Sequence, residues 1–232
     1  MRWAATGMSL LFLGLAGGCG KSTAPLEVQS HSVAENPRFK AEVWCDNWFA
    51  LYLGEELLVE DSVSITTERS FNAEAVTFDA EYPLQLNFVA KDFKANDTGL
   101  EYIGTNQQQM GDGGIIAQIT DLHSGEVIAV TNQDWQALVI HKAPLDKSCA
   151  DENNPVAGEG PCTFESSPEP AGWKAADFDD SAWNKATEHS ASAVRPKGGY
   201  DQISWDGAAQ LIWGEDLEQD NTILLRHTVA QP

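Results

Sequence analysis

Gly172-Trp173-Lys174-Ala175-Ala176-Asp177-Phe178-Asp179-Asp180-Ser181-Ala182-Trp183 sets two tryptophans and a phenylalanine around a turn of aspartates and serine. Large aromatic side chains offer much area to bury. Asp and Ser side chains bond nearby backbone amides and fix tight turns. The pattern is one of packing rather than catalysis, and it predicts a bend pinned onto a core.

On either side of this stretch the chain alternates between short apolar runs and turns. Trp48-Phe49-Ala50-Leu51-Tyr52-Leu53, a turn at Gly54-Glu55-Glu56, and Leu57-Leu58-Val59-Glu60-Asp61 read as a β-hairpin. Ile115 to Asp121 and Val127 to Thr131, joined through His123-Ser124-Gly125-Glu126, read as a second. Phe71 to Phe78 and Leu138 to His141 are shorter strands. Leu84-Gln85-Leu86-Asn87-Phe88-Val89-Ala90 alternates cleanly, which predicts a half-buried strand, and Pro83 is allowed at its start. Gly198 to Ser204 reads as a turn and short strand, and Gln210 to Trp213 and Thr222 to Val229 as closing strands. No stretch carries a long 3.6-residue period with caps. Short strands with regular turn signals predict an all-β sandwich.

Of 232 residues, 35 are acidic and 14 basic, a formal net charge of -21. Such a surface repels phosphate backbones, so nucleic acid is excluded as a partner. It also resists docking on anionic lipid by charge alone.

The N-terminus opens with Arg2 and continues into the apolar run Met8 to Ala16, too short to span a bilayer as a helix. A charged start, a short apolar core and small residues mark an export signal. Leu15-Ala16-Gly17-Gly18-Cys19 resembles the lipobox of bacterial lipoproteins, although the usual Leu position three before the Cys is Ala16. The resemblance implies a signal peptide over residues 1–18, cleavage before Cys19 and diacylation of Cys19. The mature chain would then be lipid-anchored in the cell envelope, outside the cytoplasm. Residues 19–38 read as a polar, flexible tether, and the folded domain is expected over residues 39–232.

Export permits disulfides. Cys149 and Cys162 flank a loop rich in Asn, Pro, Gly and acid, and are expected to pair; Cys45, within an apolar run, is then a buried free thiol. No His lies at ligand spacing from a Cys, which argues against a zinc or copper site.

Four pieces, taken in order, carry a family resemblance. Gly172-Trp173 with Phe178-Asp179-Asp180-Ser181-Ala182-Trp183 is similar to the "gW…FDDSxW" pattern of galactose-binding-like jelly rolls. Asp46-Asn47-Trp48-Phe49-Ala50-Leu51-Tyr52-Leu53-Gly54-Glu55 resembles their first hairpin, and Thr131-Asn132-Gln133-Asp134-Trp135-Gln136 a later strand end. Ala209-Gln210-Leu211-Ile212-Trp213 with Asn221-Thr222-Ile223-Leu224-Leu225-Arg226 resembles their closing strands. Such modules accompany rhamnosidases and β-galactosidase-type hydrolases. The resemblance implies a jelly-roll β-sandwich and a sugar- or metal-binding role, but not the hydrolytic activity of larger family members.

Candidate chemistry is sparse. His31, His123, His141, His189 and His227 are scattered, with no HExxH pair, and there is no GxSxG elbow. Asp179 and Asp180 serve either to cap a turn or, with carbonyls, to hold Ca²⁺, which takes six to eight oxygens. Asp97, Asp112 and Asp134 are further oxygen donors. Glycoside hydrolysis needs two carboxyl groups facing across a sugar, and composition does not single out a pair. Residues 91–114 form a long polar loop, and long loops in compact domains tend to be functional. Tyr102 in that loop, with Tyr200 and Trp205 in the loop from Gly198 to Gly207, are the expected ligand-stacking aromatics. The expected function is a lipid-anchored module that binds a glycan without transforming it. The alternative is a structural or assembly lipoprotein that meets an envelope protein.

Overall fold

The computed structural model describes residues 37–66 and 71–231. Cys19, the signal peptide and nearly all of the tether lie outside the described residues. The first strand begins at Arg38.

Its strands are β1 (Arg38–Asp46), β2 (Trp48–Leu53), β3 (Glu56–Glu60), β4 (Ala73–Asp79), β5 (Leu84–Lys91), β6 (Leu100–Glu101), β7 (Gln109–Met110), β8 (Gly114–Asp121), β9 (Val127–Val130), β10 (Gln136–Lys142), β11 (Glu165–Ser166), β12 (Asn184–Lys185), β13 (Thr187–His189), β14 (Leu211–Trp213) and β15 (Asp220–Val229). They form two antiparallel sheets. The first runs β13-β14-β8-β1-β4, with β9 also on β8. The second runs β11-β10-β15-β5-β2-β3, with β12 also on β10. Both expected hairpins form, as β2–β3 and β8–β9. The fold is an all-β, jelly-roll-like sandwich.

Period-two alternation decides what faces inward. Phe39, Ala41, Val43 and Cys45 of β1 meet Leu84, Leu86, Phe88 and Ala90 of β5 in one core, joined by Ile115, Ala117 and Ile119 of β8 and by Ile223 and Leu225 of β15. Trp135 and Trp213 complete it, both essentially inaccessible. Cys45 is a buried free thiol, as expected, with Sγ 3.3 Å from the Trp48 carbonyl. Burial, and then the charges of Asp46, Asp61 and Asp92, push that thiol well above its usual pKa.

The outward face of the second sheet corrects one expectation. β5 was expected to be half-buried, yet its residues are buried on both faces up to Lys91. The covering comes from residues 172–183, which form no strand and lie across Val89 and Leu224. Asn87 donates to the carbonyls of Gly54 (2.9 Å) and Lys174 (3.0 Å). Arg226 donates to Asp180 Oδ2, to Asn87 Oδ1 and to the carbonyls of Trp173 and Ala175. Trp173 packs on Trp183 and Phe178 on Trp183. The polar half of the β5 alternation is therefore buried against a hydrogen-bonded cap rather than solvated.

Two further points differ or agree locally. Residues 198–204 hold a 3-10 turn, Tyr200–Gln202, and no strand. Cys149 and Cys162 are disulfide-bonded, as expected.

Candidate functional site

At one end of the sandwich the chain crosses between sheets directly after β1. Asp46 ends β1 in the first sheet and Trp48 opens β2 in the second. Asn47 bridges the two: its backbone N–H donates to the Lys91 carbonyl (3.0 Å), and its side-chain oxygen accepts from Phe93 N (2.6 Å). This places Asp46 beside the end of β5, where Asp92 follows, and beside the start of β8, which Asp112 precedes. The chain thus gathers Asp46, Asp92 and Asp112, with one oxygen of each within 4.8 Å of the others.

Asp46 and Asp92 are buried, at 0% and 2% exposure. Neither oxygen of Asp92 has a hydrogen-bond partner, nor does Asp46 Oδ1. Burial, then the Asp112 charge, raises Asp46 to a pKa of about 8, against the opposing pull of Lys197. Burial also raises Asp92 well above its usual value, reinforced by Asp46, Glu101 and Asp112 and opposed by the nearby Phe93 backbone N–H. Lys197 sets its Nζ 3.4 Å from Asp46 and 3.2 Å from Asp112. Burial pulls its pKa down, but these two carboxylates outweigh that and leave it raised. Backbone crowding is tight here: a Cβ on Gly111 would stand 1.6 Å from Asp92 Oδ2.

Above the acids lies an open cleft of about 570 Å³, within the usual size of a small-molecule site. Tyr102 and Phe71 give it aromatic surface. Asn47, Gln107 and Gln109 give it planar amides, and Glu101, Asp112, Arg195 and Lys197 give it charge. Tyr102 holds a left-handed backbone, φ 51°, a conformation that is costly for a bulky residue and that recurs at ligand sites. Thr105 fixes it, donating from its N–H (3.1 Å) and hydroxyl (2.7 Å) to the Tyr102 carbonyl. Gln108 donates to the carbonyls of Ala150 (2.9 Å) and Glu152 (2.8 Å), bracing the loop against the disulfide segment. Gln109 donates to Glu101 at 2.7 Å.

Of the expected stacking aromatics, Tyr102 alone lines this cleft. Tyr200 stands edge-on to Trp44, and Trp205 tilts onto Tyr200, so both cover the outer face of the first sheet with Val194 and Leu211. Asp179 accepts from Ser181 N (3.0 Å), and Asp180 is engaged with Arg226 (2.8 Å). Asp179 caps the turn, Asp180 instead holds Arg226, and neither belongs to a three-acid group among the described residues. Asp97 pairs with Lys94 and His141, and Asp134 is an exposed turn residue bonded to Asn132. Of the further oxygen donors expected from sequence, only Asp112 joins the cluster. Asp46 and Asp92 were not singled out; each sits next to an apolar strand, where an acid reads as a turn signal.

The cluster does not suit glycoside hydrolysis. Retaining and inverting enzymes hold their two carboxyl groups about 5–5.5 Å or 6.5–9.5 Å apart, across the sugar. Here two of the three acids, Asp46 and Asp92, are buried at 0% and 2% exposure and do not face across the cleft. Comparison with protein-family models, with curated proteins and with solved structures gave no match.

Proposed function

We propose that this chain is a lipid-anchored, extracytoplasmic binding module of galactose-binding-like type that holds a saccharide in the Tyr102 cleft and does not transform it. The lining of the cleft carries the reading. Aromatic faces offer apolar surface to the C–H groups of a sugar ring, while planar amides and a carboxyl group offer paired donors and acceptors to its hydroxyls. A few fixed polar groups in a concave site are what set orientation and specificity. The Thr105 and Gln108 bonds support it, since a loop already held in place loses less freedom when a ligand arrives. The Cys149–Cys162 disulfide suits an oxidising compartment outside the cytoplasm, and the proposed anchor is Cys19.

A glycan array probed with the purified protein tests this, followed by a search for reducing-sugar release from every bound glycan. Retention of a defined glycan class without release is the expected result. Release of sugar would replace binding with hydrolysis. An array without retained glycans, together with crosslinking in cells to one envelope protein, would favour the assembly role instead.

A further inference from the structure

We propose that Asp46, Asp92 and Asp112 form a binding site for a hard divalent cation, Ca²⁺ or Mg²⁺, at the floor of the Tyr102 cleft. The site is distinct from the saccharide reading and does not depend on it.

The first observation is convergence. Three carboxylates from three separate segments each present an oxygen within 4.8 Å of the others. Oxygens held by one cation at 2.3–2.6 Å lie no more than about twice that distance apart, and the three carboxylates meet that limit.

The second observation is independent of the clustering. Asp92 is 2% exposed, and neither of its oxygens has a partner at hydrogen-bond geometry; the nearby Phe93 N–H is spent on Asn47 Oδ1 at 2.6 Å. Buried polar groups are hydrogen-bonded as a rule, and buried charges are paired or coordinate metals. A protonated Asp92 would need an acceptor for its O–H, and a charged Asp92 would need a cation. Lys197 reaches Asp46 and Asp112, and none of its ion pairs is with Asp92. Gly111 packs close beside Asp92: a Cβ there would stand 1.6 Å from Oδ2, so the carboxyl would have to move.

Charge and ligand type narrow the class. Lys197 and Arg195 reach Asp46 and Asp112, and the remaining carboxyl groups leave acid in excess, which favours a cation over an anion. A donor set made only of carboxylate oxygens favours Ca²⁺ or Mg²⁺ over zinc or copper. Asp112 also lines the open cleft, which gives the ion a route in and leaves space for water to complete its shell.

The test strips the purified protein with a chelator, then titrates CaCl₂ and MgCl₂ in separate calorimetric arms, with thermal unfolding as a second readout. One-to-one, saturable binding of at least one ion is expected, with a rise in the unfolding midpoint. Asp112→Asn, half-buried at the cleft and outside the apolar core, should bind at least about tenfold more weakly, since ligand charge sets affinity. Asp92→Asn should remove the ion-dependent rise while leaving the chelated midpoint unchanged or higher. Absence of binding up to about 10 mM of either ion, above the 10⁻⁴–10⁻³ M range of extracellular modules, would overturn the proposal. So would equal binding by wild type and Asp112→Asn.

Discussion

Arg226 Nε donates to Asp180 Oδ2 at 2.8 Å, across 46 residues of chain, with the arginine side chain 2% exposed. The pair ties β15 to the Trp-rich cap, and the same guanidinium also serves Asn87, Trp173 and Ala175. Removing one partner of a buried pair leaves the others unsatisfied. Arg226→Ala should therefore cost about 3–5 kcal/mol. Asp180→Ala should cost less, no more than about 2 kcal/mol, because that carboxylate keeps 29% exposure. Urea unfolding of the two variants checks the ranking.

The disulfide closes residues separated by 13 positions. Loop-entropy reasoning gives it about 3 kcal/mol of stabilisation. Gln108 bonds to Ala150 and Glu152 inside that segment, so its loss should also loosen the Tyr102 loop. Cys149→Ser with Cys162→Ser should lower the unfolding midpoint and speed amide exchange over residues 102–110, both measurable by hydrogen-exchange mass spectrometry with melting curves.

Gly111 has no room for a side chain. Gly111→Ala should cost about 1–3 kcal/mol, the usual range for forcing an extra group into a packed site. In Gly207→Ala, where a Cβ meets nothing within 4 Å, no comparable loss should appear. Parallel denaturation curves distinguish the two.

His227 lies flat on Trp135, ring centroids 5.0 Å apart, and burial lowers its pKa against the opposing pull of Asp134. Burial likewise lowers His141, with Lys94 adding to it. A base whose folded pKa is depressed is stabilising above its unfolded value, about 6.5. That contribution is lost as pH falls through the lowered folded value. The histidine contribution should therefore decline on acidification below about pH 6.5, while the raised Asp46 and Asp92 act in the opposite direction; the difference in slope between wild type and His227→Gln isolates the histidine part. Chemical denaturation at a series of pH values between neutrality and mild acid reads the slope.

Much of the sandwich was legible because its strands alternate in hydropathy and its turns carry Gly, Asp and Asn. Hairpins β2–β3 and β8–β9 followed from local residues alone. The second face of β5 did not, since Asn87 looks solvated until Arg226 and Lys174 bond it, and Gln85 until Thr228 and Asn87 do. Short-range pattern also misassigned residues 198–204, where Tyr200 turns back to pack on Trp44. The site was the least legible part. Tyr102 was expected from its long loop, but Asp46, Asp92 and Asp112 lie 46 and 20 positions apart and meet only because β1 crosses to the other sheet. No spacing rule reports that crossing, and nothing in the local sequence tells a turn aspartate from a buried one.

The central claim is that the Tyr102 cleft, and not the Tyr200–Trp205 surface, holds the saccharide. Calorimetric titration of a glycan retained on the array into wild type, Tyr102→Ala and Tyr200→Ala measures it most directly. Tyr102→Ala should weaken binding at least about tenfold, a loss of about 1.4 kcal/mol, while Tyr200→Ala binds as wild type does. Full affinity in Tyr102→Ala with binding lost in Tyr200→Ala would contradict the account.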